Sequence, residues 1–506
     1  MLRVLPPGRA FALHDVASSV SIEAQAQAAL GAHVLMQRAG LGVARLALAI
    51  APNARSIRVA AGPGNNGGDG FEAAMHLHQW GKRVEVISLH EPARQPADAK
   101  ASMQRAQAVG VPIHAGGAID GVPDLAIDAL LGIGARRAPE AQLAEWVRRL
   151  NALPCPVLAV DLPSGLNADS GAALGTDCVS ATHTLSLLTL KPGLFTGVGR
   201  DCAGEIWFDD LGLANPQVDA TASLTGELAL REAAPKRRHA HHKGSFGEVV
   251  IVGGASGMTG AAWLAARAAL AAGAGRVYVD VLAEAGVSHD APRPELMLRR
   301  GFAIGPPAPL AASLVICGCG GGESVRNVLP ALLSHVPRLV LDADALNAVA
   351  ADAQLQQRLR ARAAHGHVTV LTPHPLEAAR LLGLSTAQVQ ADRIAAATQI
   401  ATAFDSVVVL KGSGTVVVAA QRTPSLNATG SAALASAGTG DVLAGWLGGH
   451  WSQLAVHGGA NAAIDAARSA VFLHGLAADT VALGPLRASD LIEAMHHQRA
   501  TRWAPP

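Results

Sequence analysis

Short runs of apolar and β-branched residues alternate with helical stretches along most of the chain. Up to about residue 213 the pattern predicts a helical segment over residues 12–50 and then strands that alternate with helices. Such alternation is typical of a parallel sheet covered by helices on both faces. The predicted strands are Ile57–Ala61, Arg83–Leu89, Leu125–Asp128, Val157–Asp161 and Thr184–Leu190, and the predicted helices include residues 71–80, 97–109 and 141–151.

The alternation stops near Leu213 and begins again after a polar stretch that contains prolines. We therefore place a boundary within residues 213–240 and assign residues 1–222 to a first α/β domain and residues 223–506 to a second. Long helices are predicted near residues 440–450 and 461–484. The predicted strands of the second domain are Glu248–Val252, Arg276–Val281, Leu314–Cys317, Leu339–Asp342, Val368–Leu371, Val407–Leu410 and Thr415–Ala419.

Composition limits the classes of partner. Half of the 506 residues are hydrophobic but only 3% are aromatic, so the cores must consist mainly of Ala, Val and Leu. The 40 basic and 39 acidic residues nearly cancel, which gives no electrostatic reason to expect a nucleic acid or an anionic membrane as partner. Two Ala- and Gly-rich stretches, 261–275 and 429–449, contain charged residues and are interpreted as helices packed on a sheet.

The cysteines and the first residues bear on the compartment. The cysteine count is five, and none of the spacings is typical of a zinc site. An odd, scattered set of cysteines fits a reducing environment better than a disulfide framework. Residues 1–10 are not followed by a continuous apolar signal-peptide core. We therefore expect a cytoplasmic protein.

A glycine-rich segment follows the first predicted strand. Residues 62–70 read Gly-Pro-Gly-Asn-Asn-Gly-Gly-Asp-Gly and precede a helix predicted to begin near Phe71. Glycines let backbone N–H groups approach an anion, and the N-terminus of a helix favours negative charge. The spacing matches neither a dinucleotide fingerprint nor a P-loop. A tight turn without a ligand is the alternative, but five Gly, two Asn and one Asp in nine residues favour an anion site.

Two further predicted strands end in an aspartate. Asp128 ends one strand, and Asp161 ends the next, three residues before Ser164. Each residue alone is more often a helix cap than a ligand. In an open parallel sheet, however, ligands bind beyond the carboxyl ends of the strands. We therefore expect Asn66, Asp128, Asp161 and Ser164 to converge.

Four segments occur in this order along the chain: NNGGDG, DALLGIG, DLPSG and TLKPG. Through these segments, the chain resembles the NAD(P)H-hydrate epimerase family over about residues 12–213. The resemblance implies a Rossmann-like, three-layer domain that interconverts the R and S forms of the hydrates of NADH and NADPH (NADHX and NADPHX). It implies that Asn66, Asp128 and Ser164 hold K⁺ and that Asp161 contacts the hydrate and transfers a proton. The other implied hydrate contacts are Asn65, Asn66, Gly67, Gly68, Asp69, Gly132, Ile133, Gly134, Ala135, Arg136, Arg137 and Ala138.

The chemistry required of this domain is modest. Inverting the hydroxyl-bearing C6 of the hydrated ring needs a group that takes and returns a proton, and a partly desolvated carboxylate suits this role. Lys191 is a weaker candidate for the same chemistry, with a surface lysine at a strand end as the alternative. A ligand-sensing or protein-interaction module of the same fold is the alternative for the whole domain.

A second glycine-rich segment, Gly438-Thr439-Gly440-Asp441, precedes an apolar helical run. An acid there can be no more than a favourable residue at a helix N-terminus. After Gly-Thr-Gly, it looks instead like the device of ribokinase-like kinases, in which the loop stabilises a transferring phosphoryl group and the Asp accepts a proton. Residues 411–415, Lys-Gly-Ser-Gly-Thr, lie between two β-rich runs and predict a hairpin that can cradle a nucleotide or is simply a turn.

Together with residues 341–347 (LDADALN) and 372–377 (TPHPLE), these segments resemble the ADP-dependent NAD(P)H-hydrate dehydratase family over about residues 228–500. The resemblance implies a ribokinase-like α/β domain that converts the S hydrate to NAD(P)H, with ADP giving AMP and phosphate. Asp441 would be the base, and Mg²⁺ would lie beside the phosphates on ligands that we do not assign. The implied hydrate contacts are Ala261, Gly320, His374 and Asp441, and the implied nucleotide contacts are Lys411, Gly412, Ser413, Gly414, Thr415 and Gly440.

The chain departs from the dehydratase pattern in two places. Gly318-Cys319-Gly320 stands where the family usually has Gly-Pro-Gly, and Thr429-Gly430-Ser431-Ala432 lies where it usually has Asn-Pro-Gly. The alternative for this domain is a kinase that phosphorylates a vitamin-like alcohol. The fused first domain argues against a kinase, because an epimerase would supply a dehydratase that accepts one form of the hydrate. The implied partners are small molecules, with no nucleic acid and no membrane, and a homo-oligomer is expected.

Overall fold

The computed structural model of the chain describes residues 1–89, 95–117, 121–213, 218–232, 237–284, 289–454, 459–481 and 484–502. It divides into two compact units, Met1–Pro6 with Phe11–Ser223 and Pro7–Ala10 with Leu224–Pro506. The short segment Pro7–Ala10 therefore belongs to the second unit. The sequence-based assignment instead places it, with the rest of residues 1–222, in the first domain. Residues 214–217 and 233–236 of the expected boundary region lie outside the described residues, and the two domain ranges stay predictions.

The first unit is built on a mainly parallel sheet. Its strands are β1 (Leu2–Arg3), β2 (Phe11–Leu13), β3 (Ser56–Ala61), β4 (Arg83–Ser88), β5 (Ile113–Ala115), β6 (Leu125–Ala129), β7 (Val157–Val160), β8 (His183–Leu187) and β9 (Glu205–Asp209), and β10 (Ala222–Leu224) lies at the division of the units. Eight of them form one sheet in the order β1-β9-β8-β7-β6-β3-β4-β5. Only the pair β1–β9 is antiparallel.

Helices cover this sheet, and the bounds of α1 and α3 differ from those that the sequence predicts. They are α1 (Val16–Leu30), α2 (Val34–Ile50), α3 (Asn65–Gln79), α4 (Ala97–Ala108), α5 (Ala141–Asn151) and α6 (Gly199–Cys202). The single helical segment expected over residues 12–50 is wrong. A strand comes first, Asp15 then caps α1 by accepting from the backbone N–H of Ser18, and Gly31 ends that helix at φ 89°.

Helix α3 begins at Asn65, six residues before the start near Phe71 that the sequence predicts. The segment expected to be a loop therefore forms the first turns of a helix. Its glycines allow close packing: a Cβ on Gly67 would lie 2.2 Å from the carbonyl oxygen of Gly62, and one on Gly68 would lie 2.5 Å from Sδ of Met36. Burial and packing here outweigh the low helix propensity of glycine.

The second unit contains a larger sheet. Its strands are β11 (Glu248–Gly253), β12 (Arg276–Val281), β13 (Met297–Leu298), β14 (Leu314–Cys317), β15 (Arg338–Leu341), β16 (Val368–Leu371), β17 (Val407–Leu410), β18 (Thr415–Val418) and β19 (Ser425–Asn427). They run in the order β13-β12-β11-β14-β15-β16-β17-β18-β19. Neighbours are parallel as far as β17, and β18 and β19 are antiparallel. The hairpin predicted at residues 411–415 is confirmed.

Both faces of this sheet are buried. Alternate residues of β11 enter two different cores: Val249 and Ile251 lie in one, and Val250 and Val252 lie in the other. The predicted α/β class of both domains is therefore confirmed. The helices are α7 (Glu227–Glu232), α8 (Thr259–Ala271), α9 (Pro307–Ala311), α10 (Val325–His335), α11 (Asp344–Ala351), α12 (Ala353–Ala361), α13 (Pro375–Leu382), α14 (Thr386–Ala391), α15 (Arg393–Phe404), α16 (Thr439–Trp451), α17 (Gly459–Val481) and α18 (Ala488–Arg502).

The Ala- and Gly-rich helices pack closely against each other. A Cβ on Gly445 of α16 would lie 2.1 Å from the carbonyl oxygen of Ala265 in α8, and one on Gly449 would lie 2.3 Å from that of Ala269. The helix expected over residues 429–449 begins only at Thr439, because Gly438 adopts φ 86° just before it. In the described part of the chain, no helix has both the length and the apolar character that a membrane span requires.

Candidate active sites

The first unit contains a cavity of about 610 Å³ beyond the carboxyl ends of β3, β6 and β7. Asn65, Asn66, Asp69 and Asp161 line it, as do all the residues of 132–138. The structure therefore brings most of the expected hydrate contacts together at one edge of the sheet. Four expected residues do not line the cavity: Gly67 and Gly68, which pack within α3, and Asp128 and Ser164.

Asp128 and Ser164 form a buried, hydrogen-bonded pair. The Ser164 hydroxyl donates to Asp128 Oδ1 over 2.7 Å, and the Ser164 backbone N–H donates to Oδ2 over 2.8 Å. Both side chains have no exposed surface. Burial raises the pKa of the Asp128 carboxyl to about 6, against the lowering effect of the hydrogen bonds from Ser164 and Leu130. The convergence that the sequence predicts is therefore present for these two residues.

Asn66 is buried in the first turn of α3, and its carboxamide nitrogen has no hydrogen-bond partner in the structure. Its carboxamide oxygen lies 3.4 Å from where a Cβ on Gly132 would be. Turning the amide exchanges its oxygen and its nitrogen. Hard cations bind to oxygen ligands. Asn66 offers a carboxamide oxygen, Asp128 a carboxylate oxygen and Ser164 a hydroxyl oxygen. The three residues thus fit the expected K⁺ in their chemistry.

Asp161 lies in a turn just after β7 and forms a buried ion pair with Lys191. Its backbone adopts φ 68°, a left-handed conformation that aspartate tolerates better than most residues. The ammonium group of Lys191 donates to Asp161 Oδ1 and, over 2.8 Å, to the carbonyl of Leu187. The Leu187 N–H also donates to Asp161 Oδ1 over 3.0 Å. The alternative of a surface lysine is therefore wrong, because Lys191 is 1% exposed.

Two of the other acids that line the same cavity have raised pKa values. The pKa of Asp69 lies well above its usual range because of burial and then the negative charges of Asp161, Glu23 and Glu72. Burial, followed by the charge of Asp161, also raises the pKa of Glu23. The sequence does not predict Glu23 as a site residue, because nothing in the pattern of α1 distinguishes it from the other polar residues of that helix. Among its acids, the cavity therefore contains one carboxylate paired with a cation and two carboxyl groups whose pKa burial raises.

In the second unit, four neighbouring parallel strands each carry a polar residue just beyond the carboxyl end. Cys319 follows β14, Asp342 follows β15, His374 follows β16 and Lys411 follows β17. Lys411 Nζ donates to Asp342 Oδ1 over 2.7 Å, and the Thr372 hydroxyl donates to the same oxygen over 2.7 Å. These strand ends form the floor of a second candidate site.

Asp441 lies in the first turn of α16, beside this floor. A Cβ on its neighbour Gly440 would lie 3.5 Å from Lys411 Nζ. Burial and then the charge of Asp342 raise the pKa of Asp441 to about 7, while Cys319 and Lys411 act in the opposite sense. A carboxyl group that titrates near neutral pH is matched to general base catalysis.

A buried histidine supports the segment before Asp441. Burial lowers the pKa of His474 to about 4, so the ring is neutral at pH 7. Its Nε2 lies 2.9 Å from the carbonyl oxygen of Thr439, and only an Nε2–H can donate to that acceptor. The Thr439 hydroxyl bonds back to the carbonyl oxygens of Leu434 and Ser436, each over 2.9 Å. The Gly-Thr-Gly turn is therefore held in place by its surroundings.

The other expected contacts lie around the same floor. A Cβ on Gly320 would lie 2.9 Å from Cβ of Ala261, which places these two residues side by side. His374 caps α13, where its Nδ1 accepts from two backbone N–H groups over 3.2 Å each. In the 411–415 hairpin, Gly412 and Gly414 adopt φ 135° and 65°, which favour glycine.

We assign no ligand to the expected Mg²⁺. Among the described residues, Sγ of Cys319 and one carboxylate oxygen each of Asp342 and Asp441 lie within 4.8 Å of one another. Magnesium in proteins usually binds through one or two carboxylates together with substrate phosphates and waters. The thiol of Cys319 and the ammonium of Lys411 beside these carboxylates do not suit such a cation.

Comparison with known proteins relates both units to one family. A family model described as NAD(P)H-hydrate dehydratase matches residues 249–497, and a model described as YjeF-related protein N-terminus matches residues 32–193. The bifunctional NAD(P)H-hydrate repair enzyme Nnr of Escherichia coli (strain K12) is 36% identical over 88% of this chain and 85% of its own. The chain belongs to the family of bifunctional NAD(P)H-hydrate repair enzymes. The resemblance that the sequence motifs indicate is confirmed.

Other relatives of this family extend over the same length. The bifunctional NAD(P)H-hydrate repair enzyme of Leishmania braziliensis is 35% identical over 90% of this chain and 88% of its own. A solved structure of the ADP/ATP-dependent NAD(P)H-hydrate dehydratase from Bacillus subtilis, co-crystallised with ATP and Mg²⁺, covers 54% of this chain and 96% of its own at 26% identity and a TM-score of 0.43. The two bifunctional relatives thus extend over both units, whereas the Bacillus subtilis dehydratase matches about half of this chain.

Proposed function

We propose that the two units perform successive steps of NAD(P)H-hydrate repair. The first unit interconverts the R and S hydrates, and the second converts the S hydrate to NAD(P)H with ADP as phosphoryl donor. The observation that carries this proposal is family membership over nine-tenths of the chain, with Asp161 and Asp441 each placed beyond the carboxyl ends of a parallel sheet. The partners are small molecules; the cytoplasmic location and the homo-oligomer stay predictions.

In the first unit, Asp161 is the base that acts on the hydroxyl group of the hydrate. Its carboxylate is held by the ammonium group of Lys191 and lies in the cavity, where it can accept the hydroxyl proton. The C6–N1 bond then opens to an aldehyde while the nitrogen receives a proton, and closure on the opposite face of C6 returns both protons. Asp69, whose pKa is raised by burial, lies in the same cavity and is suited to supply the second proton.

Asn66, Asp128 and Ser164 would hold K⁺ next to this cavity. Bound there, the ion would supply positive charge that attracts an anionic substrate. The Asp128–Ser164 pair joins the end of β6 to the segment after β7, so it fixes the strand ends that border the cavity. The N–H groups at the N-terminus of α3 are suited to bind phosphate oxygens.

In the second unit, Asp441 accepts the proton of the C6 hydroxyl, whose oxygen attacks the terminal phosphorus of ADP. The bond from that phosphorus to the bridging oxygen breaks, and AMP leaves. Backbone N–H groups of residues 438–441 and the ammonium of Lys411 stabilise the phosphoryl oxygens. Phosphate then departs with the C6–O bonding electrons, and it accepts the proton that C5 loses as the ring double bond is restored. Phosphorylation thus replaces hydroxide by a much better leaving group.

An assay with a mixture of R and S hydrates tests both steps. The wild-type protein with ADP should convert the whole mixture to NADPH and form one AMP for each NADPH. The Asp161→Ala variant should convert the S hydrate directly, and the R hydrate only as fast as it epimerises without catalysis. The Asp441→Ala variant should form no AMP. A stable phosphorylated product would instead identify a kinase. Complete conversion by Asp161→Ala at the wild-type rate would remove Asp161 from the mechanism.

A further inference from the structure

Cys319 lies at the floor of the second site, between two carboxylates. It follows β14, and its side chain has no exposed surface. Its Sγ lies 3.9 Å from Asp342 Oδ2, and one ligand oxygen each of Asp342 and Asp441 lies within 4.8 Å of this sulfur and of the other. Two like charges at this distance repel each other unless a donor or a cation lies between them.

The chemistry of the thiol makes it a donor at this position. Burial, and then the charges of Asp441 and Asp342, raise the pKa of Cys319 well above its usual range, so the sulfur keeps its proton. A carboxylate only accepts hydrogen bonds, and a thiol is a weak donor. On the other side of Asp342, Oδ1 is already held by Lys411 and Thr372, so the position of that carboxylate is fixed.

We propose that Cys319 is a positioning residue for the general base of the second unit, with its S–H group directed to the carboxylates of Asp441 and Asp342. This inference rests on the proposed dehydratase function.

The charges around Asp441 support this role. Asp342 at the end of β15 and Asp344 at the start of α11 oppose the ionisation of Asp441, and Lys411 at the end of β17 favours it. The hydrogen bond from Cys319 also lowers the pKa of Asp441. Without the thiol proton, the base should need a higher pH to become ionised.

The decisive experiment is the pH profile of dehydration for the wild type, Cys319→Ala and Cys319→Ser. Cys319→Ala should move the acidic limb of kcat/KM upward by about 0.5 unit, so that activity falls about three-fold at pH 6 and hardly changes at pH 8.5. Cys319→Ser keeps a donor and should keep the wild-type limb. An equal loss at every pH in Cys319→Ala, or an unshifted limb, would overturn the proposal.

A second readout does not depend on activity. Removal of a donor to an ionised carboxylate destabilises the fold only where that carboxylate is charged. The difference in Tm between the wild type and Cys319→Ala should therefore grow from pH 5 to pH 8, and the Tm of Cys319→Ser should follow the wild type. A pH-independent difference would contradict the positioning role. Should the wild type form no AMP, the dehydratase function fails, and these melting curves still decide the role of the thiol.

Discussion

The ammonium group of Lys191 donates to the carboxylate of Asp161 inside the cavity of the first unit. Lys191 is 1% exposed and Asp161 is 9% exposed, so each charge depends on the other for its compensation. A buried ion pair contributes little net stability, but the removal of one partner leaves the other charge without compensation. The pair therefore ties the stability of this unit to the state of its proposed base.

Lys191→Met should abolish catalysed exchange between the R and S hydrates and destabilise the first unit. We expect an exchange rate about 10²–10⁴-fold lower and a loss of about 3–5 kcal/mol in the free energy of unfolding. Lys100→Met, which changes an exposed lysine on α4, should alter neither quantity. Exchange is measured by chromatography of the two hydrates, and stability by urea unfolding.

The double variant Asp161→Asn, Lys191→Met separates the two effects. Because it leaves no buried charge unpaired, it should recover most of the lost stability while exchange stays absent. A double variant as unstable as Lys191→Met would contradict the ion-pair explanation. A single Lys191→Met variant with normal exchange would remove Lys191 from the mechanism.

Epimerisation should depend on K⁺, and Asp128→Asn should remove that dependence. The raised pKa of Asp128, about 6, means that its contribution to stability is full below pH 4 and is lost as the pH rises through 6. A bound cation favours the ionised form, so K⁺ should raise Tm more at pH 8 than at pH 5. The measurement compares exchange rates and melting curves in KCl and LiCl.

Asp124→Asn is the matched control for this prediction, because Asp124 lies just before the same strand, β6, and is exposed. It should keep the full difference between KCl and LiCl. A wild-type protein that behaves identically in the two salts would show that the proposed site does not bind K⁺.

The sequence predicts the layers of this protein better than the starts and ends of its elements. Strands such as β11 and β17 are continuous apolar runs, and their burial on both faces follows from that pattern. The early start of α3 could not be predicted, because Gly67 and Gly68 are helical only through close contacts with Gly62 and Met36. Strands of two or three residues, such as β13 and β19, leave too short a pattern to detect.

The site residues, too, can be predicted from the sequence only in part. Motifs at strand ends place Asp128 and Asp161 near the first cavity, since parallel topology alone brings the carboxyl ends of strands together. The partners of these residues are less predictable, because the burial of Lys191 depends on the fold around β8. The sequence marks Cys319 as a departure from the family pattern, yet its position beside Asp342 and Asp441 needs coordinates, since the three residues come from separate parts of the chain.

The Asp441→Asn variant should lose dehydratase activity and be more stable than the wild type at pH 8. The folded state raises the pKa of Asp441 to about 7 from an ordinary value of 3.8, so ionisation of this group reduces stability progressively as the pH rises from 4 to 7. An uncharged amide avoids this loss. At pH 8 we expect a gain of about 2 kcal/mol or less and an activity about 10²–10⁴-fold lower, whereas near pH 4 the two proteins should have similar stability. Thermal melts at both pH values measure the difference, and a variant less stable than the wild type at pH 8 would contradict the raised pKa.

Gly445→Ala should destabilise the second unit, because its methyl group would meet the backbone of Ala265 at 2.1 Å where α16 crosses α8. The two helices would have to separate, at a loss of about 1–3 kcal/mol in the free energy of unfolding.

Gly260→Ala is the matched control: Gly260 is also helical, and a Cβ there meets no atom within 4 Å. Its effect should lie between zero and a gain of about 1 kcal/mol, since alanine has the higher helix propensity. Chemical unfolding of both variants tests the prediction, and equal effects would show that the close approach of α8 and α16 does not limit the residue at position 445.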